Sequence, residues 1–188
     1  MPIPSVPHAT YQEFRDTVIG HGYDCDGLYG YQCWDGVDLL YEQSNIGRIL
    51  STANTGLAKN CWLNANAKAA NGASPFEIVD GKTNIKRGDI IVFNTYSGWY
   101  GTTGHIAFAD EDYNGTEYLN ILGQNQGEGS NPTTGKPFNI WNAYLGTAFL
   151  GIFRYTAWNQ PTPPTPTSEP KKHKFPFVIA KHHWWKQN

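Results

Sequence analysis

The stretch 24–35, Asp-Cys-Asp-Gly-Leu-Tyr-Gly-Tyr-Gln-Cys-Trp-Asp, restricts what this chain can fold into more than any other part of it. It holds three carboxylates, two glycines and two cysteines, and its second cysteine, Cys33, stands where apolar residues begin to recur at helical spacing. A thiol at a helix N-terminus faces free backbone N–H groups and the positive end of the helix dipole, which lower its pKa. The stretch therefore predicts a reactive cysteine held at the start of a helix.

Helical patterns occupy the first half of the chain, and strand patterns occupy the second. A capping box at 10–13 begins a first helix, Cys33 begins a second that runs to about residue 45, and a third is predicted over 57–70. Short apolar runs separated by Gly, Asn and Asp predict strands at 76–79, 89–93, 105–109, 118–122 and 149–155. Helices followed by strands indicate an α+β domain with an antiparallel sheet.

A cysteine nucleophile needs a base, and His105 is the preferred one of six histidines. It stands at the start of an apolar strand behind a glycine-rich loop, whereas the others lie in a proline-rich leader, among helix-ending glycines or near the C-terminus. Alternation along 119–125 places Asn125 on one face with Gly123, where its amide oxygen can accept from the imidazole. The alternatives are a buried structural thiol, a histidine bound to a carbonyl at a strand end, and an asparagine in a turn.

The carboxylates have the spacing of a calcium-binding loop. With Asp24 as position 1, Asp26 is position 3, Leu28 is 5, Gly30 is 7 and Asp35 is 12, the positions from which a twelve-residue loop takes its oxygens. Leu28 and Gly30 would contribute backbone carbonyls. The loop departs from the standard pattern in having its glycine at position 4 and Asp at position 12. The alternative is that these residues form Asx-turns and a helix cap.

Charge divides the chain into two unequal parts. Residues 1–168 carry 9 basic and 15 acidic side chains, whereas 169–188 carry five lysines and one glutamate. An acidic globular part argues against a nucleic-acid binder. We predict a catalytic domain over 1–158, a Pro/Thr-rich linker over 159–168, and a basic aromatic tail over 169–188. The tail fits an anionic membrane or teichoic acid, or else a disordered solubilising segment.

The number of cysteines and the N-terminal residues indicate the cellular compartment in which the chain is made. Three cysteines are an odd number, which argues against a disulfide framework, and no Cys-x-x-Cys zinc pattern is present. The start of the sequence lacks the charged and apolar regions of a signal peptide, and no apolar run is long enough for a membrane span. We therefore expect synthesis in a reducing cytoplasm.

Four motifs together give the chain a family resemblance. They are 29–35 (Tyr-Gly-Tyr-Gln-Cys-Trp-Asp), 87–93 (Arg-Gly-Asp-Ile-Ile-Val-Phe), 104–107 (Gly-His-Ile-Ala) and 121–125 (Ile-Leu-Gly-Gln-Asn). In this order they resemble the CHAP domain, the cysteine, histidine-dependent amidohydrolase/peptidase family of bacterial and phage cell-wall lysins, over roughly residues 10–157. The resemblance implies a papain-like fold, with N-terminal helices packed on an antiparallel sheet.

The resemblance also implies a chemistry. It implies hydrolysis of an amide or peptide bond in peptidoglycan through a thioester acyl-enzyme. Cys33 would attack, His105 would carry the proton, and the Cys33 N–H with the Gln32 amide would hold the oxyanion. Many such lysins have Glu where this chain has Gly123, so the orientation of the imidazole falls to Asn125 or to a water in the space that the glycine leaves.

Staphylococcal phage members of the family bind calcium in the loop before the cysteine. Their ligand positions match Asp24, Asp26, the carbonyls of Leu28 and Gly30, and Asp35. The resemblance therefore implies a structural Ca²⁺ ion at this loop.

The function expected from these features is that of a phage endolysin acting on the peptidoglycan of Gram-positive bacteria after holin-dependent release. A muramoyl–alanine amidase and a cross-bridge endopeptidase both fit. The alternatives are a virion-associated lysin with the same chemistry and a non-catalytic module that binds the wall or calcium. Trp99 and Tyr100, in the loop before His105, and Trp141 are the aromatic residues predicted to line the substrate groove.

Overall fold

The computed structural model describes residues 4–51, 55–95 and 101–159 of the chain. Its α-helices are α1 (Tyr11–Val18), α2 (Cys33–Gln43), α3 (Asn60–Leu63) and α4 (Ala65–Asn71). Its strands are β1 (Phe76–Val79), β2 (Ile90–Phe93), β3 (His105–Ala109), β4 (Tyr118–Gly123), β5 (Asn139–Tyr144) and β6 (Phe149–Tyr155).

The strands form one sheet in the order β1-β6-β2-β3-β4-β5, and every neighbouring pair is antiparallel. The predicted α+β class with an antiparallel sheet is therefore confirmed. The five predicted strands are present, and the capping box of α1 is formed, with Glu13 N–H donating to the Thr10 hydroxyl and Thr10 N–H to the Glu13 carboxylate. None of the helices in the described ranges is long and apolar enough to cross a bilayer.

Two elements differ from the prediction. The third predicted helix is two short ones, because Asn64 interrupts it and caps α4 by accepting the Ala67 N–H at 3.0 Å. Strand β5 was not predicted, because it is an edge strand whose polar and partly exposed positions, such as Asn139 and Asn142, lack an apolar run. It nevertheless pairs with β4 along the whole length of that strand.

The sheet is buried on both faces. In β2, Ile90 and Val92 belong to the core cluster that includes side chains of α1 and α2. Ile91 and Phe93 belong to a second cluster on the opposite face. Burial of both faces explains why the central strands read as continuous apolar runs instead of alternating ones.

A buried ion pair holds β2 against β6 at the end remote from His105. Asp89, which precedes β2 and is 1% exposed, accepts two hydrogen bonds of 2.8 Å from Arg154 of β6. Its carboxylate also accepts the Lys86 N–H at 2.7 Å. Burial raises the pKa of Asp89, while Arg154 and the Lys86 N–H oppose that rise. This pair gives a structural reason for the Asp of the second sequence motif, because the bidentate geometry requires a carboxylate at position 89.

Candidate active site

The predicted nucleophile and base come together where α2 meets the sheet. Helix α2 begins at Cys33 and packs on β3 and β4, and β3 begins at His105. The backbone of Ile106, the residue after His105, lies close enough to the Cys33 thiol to lower its pKa. Cys33 and His105 also line one small cavity of about 180 Å³. Two residues 72 positions apart in the chain therefore share one site.

Asp35 fixes the start of α2. Its carboxylate, in the first turn, accepts the N–H of Gln32 at 3.0 Å and so reaches back to the N-cap. The same carboxylate accepts the Cys25 N–H at 2.8 Å and the Asp26 N–H at 3.3 Å. A carboxylate here also interacts favourably with the helix dipole. The loop before Cys33 is thus tied to the helix that presents the thiol.

Burial makes both members of the pair neutral at rest. It raises the pKa of the Cys33 thiol to about 11, and hydrogen bonds from the backbone oppose this only in part. It lowers the pKa of His105 to about 4. The lowering of the thiol pKa that the helix start predicts is therefore outweighed by desolvation. Both shifts favour the neutral thiol and the neutral imidazole near neutral pH.

Gln126 orients the imidazole of His105. The Nε2 atom of His105, which is 4% exposed, lies 3.1 Å from Gln126 Oε1. The Gln126 side-chain nitrogen donates to the carbonyls of Ile121, at 3.1 Å, and Asn139, at 2.6 Å. Because both amide hydrogens are taken, the oxygen is the atom that faces His105, and Nε2 of the ring carries the proton. The Nδ1 atom is left unprotonated and able to act as a base.

Asn125 has a different place from the predicted one. Strand β4 ends at Gly123, and Asn125 lies in the following loop with φ 49°, so strand alternation does not extend to it. Its amide donates to Gln32 Oε1 at 2.7 Å and accepts the Asn131 N–H at 2.7 Å. Asn125 therefore holds Gln32 instead of His105. No local pattern indicates Gln126, because its side chain reaches carbonyls of β4 and β5 that only the fold brings beside it.

Gln32 lies beside Cys33 at the opening of the cleft. Its oxygen accepts from Asn125, and its side-chain nitrogen donates to the Tyr29 carbonyl. That nitrogen has a second hydrogen, and Gln32 lines both cavities around Cys33. This position is compatible with its predicted part in holding an oxyanion.

Three carboxylates converge before α2. One oxygen each of Asp24, Asp26 and Asp35 lie within 4.8 Å of one another. Asp24 Oδ1 is buried and has no hydrogen-bond partner among the described residues. Burial, followed by the charge of Asp26, raises the pKa of Asp35 to about 7. Mutual repulsion and an unsatisfied buried oxygen are the properties of a donor set that a hard cation would stabilise.

The two predicted carbonyl ligands lie in the same loop. Leu28 is exposed at the edge of the larger cavity, which Asp26 and Asp35 also line. The Gly30 carbonyl accepts the Gln32 N–H at 2.9 Å, so one of its two lone pairs is used. Both carbonyls retain acceptor capacity.

Gly30 is a position where only glycine fits. Its φ is 68°, and a Cβ there would lie 2.3 Å from the Thr134 carbonyl oxygen. That carbonyl accepts the Tyr31 N–H at 3.1 Å, and the Tyr31 carbonyl accepts the Lys136 N–H at 3.2 Å. The loop before Cys33 is thus pinned to the segment that follows β4.

Cys33 lines two cavities, of which the larger lies beside the loop that precedes it. A cavity of about 470 Å³ is lined by Tyr29, Trp34 and Pro132 among others. Tyr29 is 70% exposed at its edge and was not predicted. Trp141 lies on β5 over Gly127 and lines neither of the two cavities at Cys33. The other two predicted substrate residues, Trp99 and Tyr100, lie outside the described residues, as do linker residues 160–168 and the tail.

A family model described as the CHAP domain matches residues 22–125, which include Cys33, His105 and Asn125. The chain belongs to the CHAP family. The match ends one residue before Gln126. The CHAP resemblance drawn from the four motifs is therefore confirmed.

Two curated relatives are phage proteins. The chain is 35% identical over 158 residues to the D-alanyl-L-alanine endopeptidase of Streptococcus phage B30, covering 77% of this chain and 34% of that protein. It is 34% identical over 117 residues to endolysin PlyTW of Staphylococcus phage Twort, covering 61% of this chain and 23% of that protein. The matched region thus spans about a third or less of each relative.

The fold has a counterpart among solved structures. The crystal structure of wild-type endolysin LysIME-EF1 matches with a TM-score of 0.60 at 21% identity, over 77% of this chain and 62% of that one. At this identity the likeness bears on the fold alone, and it agrees with the papain-like α+β arrangement.

Proposed function

We propose that this CHAP-family chain is a peptidoglycan hydrolase of the phage endolysin type, which cleaves an amide or peptide bond of the Gram-positive wall through a thioester. The observation that carries the proposal is the placement of Cys33 and His105 on one cavity, with the imidazole held so that Nε2 carries the proton and Nδ1 does not. The names of its phage relatives support the same substrate.

The geometry supports a two-step acyl transfer. As Cys33 Sγ attacks the substrate carbonyl carbon, its proton passes to His105 Nδ1, and the oxyanion accepts from the Cys33 N–H and the Gln32 amide. His105 then gives the proton to the leaving nitrogen, and the C–N bond breaks to leave a thioester on Cys33. A water molecule, deprotonated by His105, attacks the thioester and releases the carboxylic acid and the thiol.

We further propose that the bond is the D-alanyl–L-alanyl bond of peptide cross-links, as the name of the Streptococcus phage B30 relative suggests. Mass spectrometry of digested Gram-positive walls tests this. We expect new free amino groups on L-alanine while muramic acid keeps its peptide. Release of whole peptides from muramic acid would instead show an amidase. Walls that stay intact with the native protein, as with a Cys33→Ala control, would contradict the hydrolase and favour a binding module.

We also propose that the loop before α2 binds Ca²⁺ through Asp24, Asp26, Asp35 and the carbonyls of Leu28 and Gly30. The convergence of three carboxylates and the unpaired Asp24 oxygen support this. The bound ion would supply positive charge that neutralises the carboxylates and stabilises the loop that presents Cys33.

We predict that Ca²⁺ raises the melting temperature. At a free concentration 100 times the dissociation constant, a ligand that binds only the folded state adds about 2.7 kcal/mol, which corresponds to roughly 5–10 °C for a domain of this size. Thermal melts in EDTA and in added CaCl₂ measure the shift.

The matched comparison is between two single substitutions. Asp24→Asn removes a carboxylate of the loop and should abolish the calcium shift. Asp80→Asn removes an exposed carboxylate elsewhere, paired only with Lys68 at 3.6 Å, and should keep it. Identical melts with EDTA and CaCl₂ for the native chain would refute the calcium site.

Cytoplasmic synthesis, holin-dependent release and attachment of 169–188 to teichoic acid or an anionic membrane stay predictions from the sequence. A virion-associated lysin would use the same active site.

A further inference from the structure

The structure assigns to Gln126 the positioning of His105: its side-chain oxygen holds the imidazole in the Nε2–H tautomer, in which Nδ1 is unprotonated, and Gly123 leaves the space that this oxygen occupies. The catalytic meaning of this assignment rests on the proposed function, whereas the tautomer itself does not.

The Gln126 amide has one orientation. Its nitrogen donates to two backbone carbonyls, those of Ile121 on β4 and Asn139 on β5. Reversal of the amide would place its oxygen against both carbonyls and leave Nε2 of His105 facing a nitrogen. Since Gln126 is fully buried, those losses would not be compensated by water. The neighbouring strands therefore determine which imidazole nitrogen carries the proton.

Gly123 is required for its size at this site. A Cβ at this position would lie 2.8 Å from Gln126 Oε1 and 2.9 Å from the Cβ of Ala107. Ala107 is two residues after His105 on β3, so it lies on the same face of that strand. A side chain at 123 would thus enter the space in which the Gln126 oxygen meets His105. Gly123 and Gln126 therefore act together. The first lacks a side chain, and the second places its oxygen in the space that this leaves.

A neutral amide gives His105 a different partner from a carboxylate. Both accept the Nε2–H, but only a carboxylate adds a charge that stabilises the imidazolium. Among the described elements packed around His105, the titratable group that shares its cavity is Cys33, whereas Phe93 and Gln126 are uncharged. The side chain that orients the imidazole is therefore a neutral one.

The test reads the tautomer directly by ¹⁵N–¹H NMR of the side chain of His105 in the full chain, assigned by comparison with a His105→Gln variant. The native protein should show one tautomer, protonated at Nε2. Gln126→Ala should show a mixture of tautomers, and kcat for wall cleavage should fall roughly 10²-fold with little change in KM, because the base is misplaced. Gly123→Ala should reproduce this loss, and the double variant should lose no more than either single one.

Gln124→Ala is the matched control. Like Gln126, Gln124 is fully buried and makes three side-chain hydrogen bonds, but these go to Tyr23 and to the Gln32 carbonyl. Its loss should lower stability without changing the His105 tautomer. Gln126→Glu provides a second variant: its second oxygen would face the Ile121 and Asn139 carbonyls, so the buried carboxyl should be protonated and donate to one of them. Its other oxygen should still accept the Nε2–H and keep the tautomer.

The outcomes separate the positioning role of Gln126 from the proposed function. A His105 that keeps its single tautomer in Gln126→Ala, or that loses it in Gln126→Glu, overturns the assignment. A tautomer change together with intact walls in the native digest overturns the proposed function and leaves the positioning role standing.

Discussion

Replacement of Cys33 by alanine is expected to abolish wall cleavage, with a fall of about 10⁴-fold or more in kcat, because Cys33 carries the only thiol among the described residues that line that cavity. The fold should persist. Cys33 is partly exposed and stands at the first position of α2, where alanine is well tolerated. Release of soluble fragments from purified walls measures cleavage, and thermal melting measures the fold.

Cys61→Ala is the control for this variant. Cys61 is also a free cysteine, but it is fully buried and burial raises its pKa far above the usual range. Its loss should reduce stability modestly and leave cleavage in place. Wall cleavage by Cys33→Ala at the native rate would remove Cys33 from the mechanism.

Replacement of His105 by alanine is expected to lower kcat by roughly 10²- to 10⁴-fold, the contribution of a general base. In the native protein, the acid limb of the kcat/KM profile should lie below pH 6.5. Burial lowers the pKa of His105 to about 4, so the imidazole stays neutral until the pH approaches that value. Rates on soluble muropeptide between pH 4 and 8 measure the limb.

The buried imidazole of His105 also makes the free energy of unfolding depend on pH. In the unfolded chain the imidazole binds a proton near pH 6.5, whereas in the folded chain it does so only near pH 4. A fall in pH through this range therefore stabilises the unfolded state relative to the folded state. Across the whole range this lowers the free energy of unfolding by an amount on the order of 3 kcal/mol. His105→Ala should remove this part of the decline in melting temperature, whereas the exposed His21 replaced by alanine should not.

An acid limb of the kcat/KM profile at or above pH 6.5 would contradict the buried neutral imidazole.

Local patterns predicted a large part of the fold and of the site. The start of α2 at Cys33 and of β3 at His105 were both predicted, because each depends on nearby apolar spacing and turn residues. The carboxylate loop was predictable for the same reason, since Asp24, Asp26 and Asp35 stand within twelve residues. Strand β5 was missed because an edge strand needs no apolar run.

The sequence by itself determined which residues can serve as nucleophile and base, and that an antiparallel sheet would carry the base. Only the tertiary structure decided what orients His105. Strand alternation continued two residues past Gly123 indicates Asn125. The chain instead turns at Asn125, and Gln126 reaches the imidazole ring. The physical reason is that the contact depends on the empty space above Gly123 and on two carbonyls from neighbouring strands. No local pattern of residues specifies either of them.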